Sequence, residues 1–260
     1  MIPKIIHYCW VGNKPLPPLA KKCIASWHRV MPDYEVKFWN ESNYNFRKNA
    51  FMNNAYKNKK WAFVTDYARL DIVYNYGGIY LDTDVETLKP FDEFLKYPAF
   101  CGFENQYFVN FGHGFGAEKG NKVILNIMAF YENINSEVDK AISKQAVIYG
   151  KKQGENWQKK NFNVPSPVIQ TQCLIKKYGL KQDNNQQHLE DMEVFPSFYF
   201  SPKNEVNLPT VTKEAYSVHW YAGSWLPQQY KIYTSLKILA YKIFGKGYTY
   251  IYKIKRKLFK

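Results

Sequence analysis

What most restricts the fold of this chain is the run WAFVTDYARLDIVYNYGGIYLDTDVE at residues 61–86, which passes from helix to strand and ends near two acids one residue apart. Phe63, Tyr67, Leu70 and Tyr74 recur at three- and four-residue spacing, so residues 62–76 predict a helix with one apolar face. Asp66 and Arg69 stand three apart on that helix, near enough to act on one ligand. The Gly77-Gly78 pair stops the helix, because glycine enters the left-handed backbone region that a helix end needs. Ile79, Tyr80 and Leu81 then read as a buried strand, and side chains two apart on a strand share a face. That alternation is expected to bring Asp82 and Asp84 together.

Two neighbouring carboxylates at a strand end repel unless something positive lies between them. Oxygen ligation of this kind suits a hard divalent ion, Mg²⁺ or Mn²⁺, that keeps positions open for water or phosphate. A solvated acidic turn is the competing reading of the triplet taken alone.

Around this segment, strands are predicted at residues 5–9, 35–39 and 100–103, and helices at 18–29, 44–56, 121–131 and 164–178. Alternating strands and helices imply an α/β fold around a mostly parallel sheet. Residues 140–163 read as helix plus mobile loop, and 182–190 as a polar connector. His7 reads as a satisfied core histidine, and His113, inside FGHGFG, as part of a flexible glycine-rich loop.

The DTD region resembles the signature of glycosyltransferase family 32, which groups yeast-type mannosyltransferases with bacterial capsular transferases, and it is similar to the glucosyltransferase domains of large clostridial toxins. The resemblance rests on five ordered blocks: IIHYCWVG at residues 5–12, DYAR at 66–69, YNYGGIYLDTD at 74–84, SPVIQT at 166–171 and HWYAGSW at 219–225. It implies a GT-A fold, a Rossmann-like sandwich that binds a nucleoside diphosphate sugar with a divalent metal, usually Mn²⁺, and transfers the sugar with retention. On that resemblance Trp10 stacks on the base, Asp66 and Arg69 hold sugar hydroxyls and the phosphate side of the donor, and Tyr80 lines the nucleotide pocket. Asp82 contacts ribose or metal-bound water, and Asp84 ligates the metal directly. His219 approaches the metal or diphosphate, and Ser224 and Trp225 close over the diphosphate. Asp82, Asp84 and His219 are therefore the implied metal set.

Trp10 also follows the apolar strand at 5–9, and ligands of open α/β sheets bind beyond the carboxyl ends of strands. A buried core tryptophan is the alternative. With 260 residues and 46% hydrophobic content the chain can bury one substantial core. No run of about 18 apolar residues is present to cross a bilayer, and the first residues lack a signal-peptide pattern. Cys9, Cys23, Cys101 and Cys173 stand apart and read as reduced core residues of a cytosolic protein.

The net charge of +14 is uneven, for nine Lys or Arg and no acid fall in residues 229–260. Ile232, Leu236, Leu239 and Ile243 make a helical stripe there, with Lys231, Lys242 and Lys246 to one side and Tyr248, Tyr250 and Tyr252 beyond. The chain thus divides into a catalytic domain at 1–228 and a basic amphipathic tail at 229–260 that suits an anionic membrane surface. A terminal helix packed on the core with a solvated lysine face is the alternative.

The leading expectation is transfer of a hexose or N-acetylhexosamine from a UDP-sugar to a bacterial surface glycan, capsule or lipopolysaccharide, whose acceptor is a glycan or lipid-linked glycan. The enzyme is expected in the cytoplasm, peripheral to the inner face of the membrane. Alternatives are a GDP-mannose-dependent mannosyltransferase, a toxin-like protein glycosyltransferase, and a non-catalytic polyanion binder. The basic residues cluster at one end and no nucleic-acid-binding motif occurs, so nucleic acid is not an expected partner.

Overall fold

The computed structural model describes residues 1–132, 164–204, 206–223, 228–245 and 247–250. Its centre is an eight-stranded sheet in the order β2-β1-β3-β7-β5-β9-β8, with β6 beside β5. These strands are β1 (Ile5–Cys9), β2 (Glu35–Trp39), β3 (Gly78–Tyr80), β5 (Ala99–Phe103), β6 (Val109–Asn110), β7 (Phe115–Ala117), β8 (Gln187–Leu189) and β9 (Met192–Phe195). The strands β2, β1, β3, β5 and β9 run one way, whereas β6, β7 and β8 run against them. A separate two-stranded antiparallel sheet joins β4 (Val85–Thr87) to β10 (Ser217–His219).

Side chains alternate across the sheet, and the two faces bury separate cores. Ile6, Tyr8, Ile79, Leu81, Phe100 and Phe195 face a core with Trp27 of α1 (Pro18–Val30) and an aromatic group that includes Phe91, Phe94 and Phe200. Cys9, Tyr80, Cys101 and Val194 face the other core. That core contains α2 (Ala50–Lys57), α3 (Trp61–Tyr76), α4 (Lys122–Glu132) and α5 (Ser166–Tyr178). The expected α/β sandwich is thus helix, sheet, helix. All four cysteines are buried and unpaired.

The signature helix is α3, but it has no solvent face of the predicted kind. Ten of its residues from Phe63 to Val73 are buried, Asp66, Arg69 and Asp71 among them. It packs on α2, α4 and the sheet, and a helix surrounded in this way buries polar side chains only where they find partners. Gly77, at φ 68°, ends it with an N–H to Val73 O bond of 2.8 Å. A Cβ at Gly78 would lie 2.8 Å from Ile5 O, so β3 can reach β1 at this point only as glycine.

Other differences have local causes. The predicted helix at 44–56 begins only at Ala50, where Asn49 caps it by accepting from Met52 N. The polar connector at 182–190 contains β8, which forms a hairpin with β9. The FGHGFG run is no flexible loop: Phe115 and Gly116 pair with β3, and His113 is fully buried. Residues 140–163 lie outside the described residues.

After the short helix α6 (Ser197–Phe200) and β10, helix α7 (Gln228–Phe244) crosses the expected boundary at 228/229. It leaves Leu236, Leu239 and Ile243 exposed, while Ile238 and Tyr241 line the central cavity; the side chain of Ile232 is outside the described set. Among the described residues, no helix is long and apolar enough to cross a membrane.

Candidate active site

Beyond the carboxyl ends of β1 and β3 opens a cavity of about 1810 Å³, lined by Trp10, Asp66, Arg69, Asp82, Asp84 and His219 among others. Strand ends of an α/β sheet are where ligands are bound. Arg69 anchors one wall. Its Nη2 lies 3.0 Å from Asp66 Oδ1 and 3.2 Å from Asp82 Oδ1, its Nε donates to Thr65 O, and its guanidinium sits 5.1 Å from the centre of the Tyr80 ring. Burial raises the Asp66 pKa to about 6, against the pull of Arg69. Tyr80 does not line the cavity as expected: it is 1% exposed and lies beneath Arg69, because it points to the core side of β3.

Asp82 and Asp84 do converge, but not through strand alternation. The strand ends at Tyr80, and the two acids occupy a turn closed by Val85 N donating to Asp82 O. Asp82 N donates to Gly112 O at 2.8 Å, and a Cβ on Gly112 would fall 2.0 Å from Asp82 Oδ2. Gly112 is therefore a site residue, and sequence reading misses it because its role is only to leave room.

The C-terminal block folds back onto this turn. In the β4–β10 ladder His219 stands opposite Val85, and Trp220 N donates to Asp84 O. The side chain of Asp84 meets His219 Nε2 at 3.1 Å and accepts from Ala222 N at 2.8 Å. Burial opposes the charge on Asp84, yet His219 and the Ala222 N–H outweigh it and hold its pKa below the ordinary value. Burial likewise opposes the imidazolium, but Asp84 raises the His219 pKa. Asp82 goes the other way, raised by burial and by the neighbouring Asp84 against Arg69. Ser224 and Trp225 lie outside the described residues.

One ligand atom from each of Asp82, Asp84 and His219 lies within 4.8 Å of the others. Two carboxylates and an imidazole suit a divalent ion such as Mn²⁺ or Mg²⁺, and an added cation would relieve the strain reported by the raised pKa of Asp82. The residues present fit a metal.

Trp10 is half-buried on the cavity wall, its Nε1 donating to Lys14 O at 2.5 Å. Tyr56 and Trp61 line the same end, their rings 5.2 Å apart and edge to face. His7 is a satisfied core histidine: its Nε2 pairs with Gly77 O at 2.8 Å and its Nδ1 accepts from Trp39 Nε1 at 3.1 Å. Burial lowers its pKa to about 4.

Residues 17–101 match the family described as a glycosyltransferase sugar-binding region containing a DXD motif. Over those residues the chain is similar to glycosyltransferases that carry a DXD motif. Among curated proteins, the chain is 34% identical over 110 residues to inositol phosphoceramide mannosyltransferase 3 of Schizosaccharomyces pombe, covering 38% of this chain and 28% of the relative. It is 35% identical over 101 residues to the uncharacterized glycosyltransferase L373 of Acanthamoeba polyphaga mimivirus, covering 36% of this chain and 40% of that one. The chain spans less than half the length of these curated relatives. A solved structure of the PaToxG glycosyltransferase aligns with 68% of this chain and 70% of its own, at 20% identity and a TM-score of 0.45. Asp82 and Asp84 lie within the matched span, whereas His219 lies far beyond it.

Proposed function

We propose that this chain transfers a hexose or N-acetylhexosamine from a UDP-sugar to a bacterial surface glycan, with retention of configuration and with Mn²⁺ or Mg²⁺ held by Asp82, Asp84 and His219. The convergence of those three side chains from distant parts of the sequence carries the reading. When bound, the ion neutralises charge on the departing diphosphate as a Lewis acid. Asp84 is held for this role by His219 and the Ala222 N–H, and Asp82 by Arg69 and the Gly112 carbonyl. The half-buried ring of Trp10 offers a stacking face to the base. Attack from the face by which the diphosphate leaves needs no nucleophilic side chain.

A second reading, transfer of mannose from GDP-mannose, is favoured by two relatives named inositol phosphoceramide mannosyltransferase. A panel of UDP- and GDP-sugars, followed by release of nucleoside diphosphate with Mn²⁺ and again with chelator, separates the two. Metal-dependent release from UDP-sugars supports the first reading and preference for GDP-mannose the second. No metal-dependent release from any sugar sinks both.

The acceptor is read as lipid-linked, met by an enzyme lying on the inner face of an anionic membrane. The exposed Leu236, Leu239 and Ile243 beside nine basic residues and no acid support this. Sedimentation of the full chain with phosphatidylglycerol vesicles is expected to be strong at low salt and weak at high salt, and to fall in Leu236→Asp/Ile243→Asp. Binding unchanged by that pair of substitutions, or equal to neutral vesicles, rejects the membrane role.

A further inference from the structure

The cavity wall facing α3 holds a cation that none of the roles above uses. Lys203 lies between α6 and β10, lines the cavity, and has a side chain only 12% exposed. Its Nζ stands 3.7 Å from Glu104 Oε1 and 4.2 Å from the centre of the Tyr221 ring. Both supports are themselves fixed. Glu104 is buried, and its other oxygen accepts from Asn110 Nδ2 at 3.0 Å; Asn110 Oδ1 accepts from the N–H of Gly112, the residue that makes room for Asp82. Tyr221 bonds to Ser201 and packs on His219 with ring centres 4.1 Å apart. The ammonium is therefore mounted on the residues that stand behind Asp82 on one side and His219 on the other.

An ammonium group has three donors, and a carboxylate at 3.7 Å is beyond ordinary hydrogen-bond reach. Among the other cations that line the cavity, Arg69 is gripped by Asp66 and Asp82, Lys14, Lys59 and Lys60 belong to the Trp10 and Trp61 end, and Lys237 and Lys242 stand on α7. As its bond to the sugar breaks, the diphosphate gains a third negative charge, one more than a divalent ion cancels, and lysine serves phosphate as a compact point charge.

We propose that Lys203 is a further donor-binding residue whose ammonium meets the diphosphate of the nucleotide sugar and holds it as it departs. The inference rests on the donor reading of the site given above. As the bond from the anomeric carbon to the phosphate oxygen breaks, its electron pair stays on that oxygen. The acceptor hydroxyl oxygen forms the new bond, and its proton passes to the departing phosphate. Lys203 balances the charge that accumulates there and itself gives up no proton. Burial lowers the Lys203 pKa, and Glu104 works against this.

Calorimetry on the full chain with saturating Mn²⁺, using UDP, GDP, UMP and GMP as probes, tests the assignment. Lys203→Met is expected to weaken the diphosphate by about tenfold or more while the monophosphate changes little, since a hydrogen bond to a charged group contributes about 1.5–3 kcal/mol. Lys203→Arg should recover most of the loss. Glu104→Gln keeps an acceptor for Asn110 but removes the counter-charge, so diphosphate binding should tighten. A pair serving only to hold the fold would give loss in both variants, and that result overturns the proposal. So does a folded Lys203→Met that binds diphosphate as wild type does, or one that loses mono- and diphosphate alike. If Lys203→Met does not fold, Glu104→Gln decides by its sign: tightening supports, no change or weakening overturns. Wild-type protein that binds neither UDP nor GDP defeats the donor reading itself, whereas wild-type binding without the Lys203 effect defeats this inference alone.

Discussion

On the α3 wall of the cavity, Arg69 is held by two carboxylates above a buried tyrosine, and the members of the group sit on α3, on β3 or in the turn that directly follows β3. On the opposite wall, His219 is carried by a two-stranded ladder of three residues each, and Tyr221 follows just beyond it. The first wall is a piece of the core that happens to face a ligand; the second is a graft that depends on a few backbone bonds and on Asp84. Charge removed from the first wall should therefore cost stability. Charge removed where the walls meet should cost chemistry.

The widest gap is expected between two substitutions. Asp84→Asn should lower metal-dependent turnover by about a thousandfold while the thermal midpoint moves little, because volume and most packing persist. Wild-type rates at saturating Mn²⁺ would remove Asp84 from the metal site. Arg69→Met should add a large loss of stability, leaving the buried Asp66 and the half-buried Asp82 without their cation at a cost of about 3–5 kcal/mol, read by denaturant unfolding. Equal stability losses in the two variants would erase the contrast between the walls.

A pH titration of stability sharpens the picture of the core side. The folded state keeps His7 neutral down to about pH 4, against 6.5 for an ordinary histidine. Above pH 6.5 both folded and unfolded chains carry a neutral ring, and the contribution is complete. As pH falls from 6.5 to 4 the unfolded chain takes up the proton and the folded one does not, so stability drops by up to about 3 kcal/mol. His7→Gln should flatten that part of the curve whatever its absolute stability; an unchanged slope would assign the loss to other groups. The smallest effect is expected at the base end, where Trp10→Ala should weaken nucleotide binding by about fivefold through loss of roughly 1 kcal/mol of stacking. Unaltered calorimetric affinity would return Trp10 to a purely structural role.

Much of the first wall can be read from sequence because it is local. Helix period, the glycine pair, a strand and the acids follow one another within residues 61–86, and each has a conformational reason. What the local reading misses depends on where that segment lands. The burial of α3 on all sides comes from α2 and α4, and the inward turn of Tyr80 comes from the parallel pairing of β3 with β1. The second wall is legible only as a motif. Spacing within HWYAGSW does not say that β10 will pair with β4, nor that Lys203 and Glu104 will meet across the sheet, since such contacts are set by topology. Gly112 leaves no pattern at all, because its contribution is an absent atom.

The hydrogen bond from His219 to Asp84 spans 135 residues of sequence. Closing so long a loop carries an entropic cost that must be met before the contact itself gives anything back, and long-range pairings of this type are slow. The α3 half can form its helix and parallel strands from neighbouring segments, but the ligand set is complete only when β10 docks on β4. Completion of the Asp82, Asp84 and His219 cluster is thus tied to the late, non-local steps of folding. A chain arrested before them would hold the two acids without their histidine.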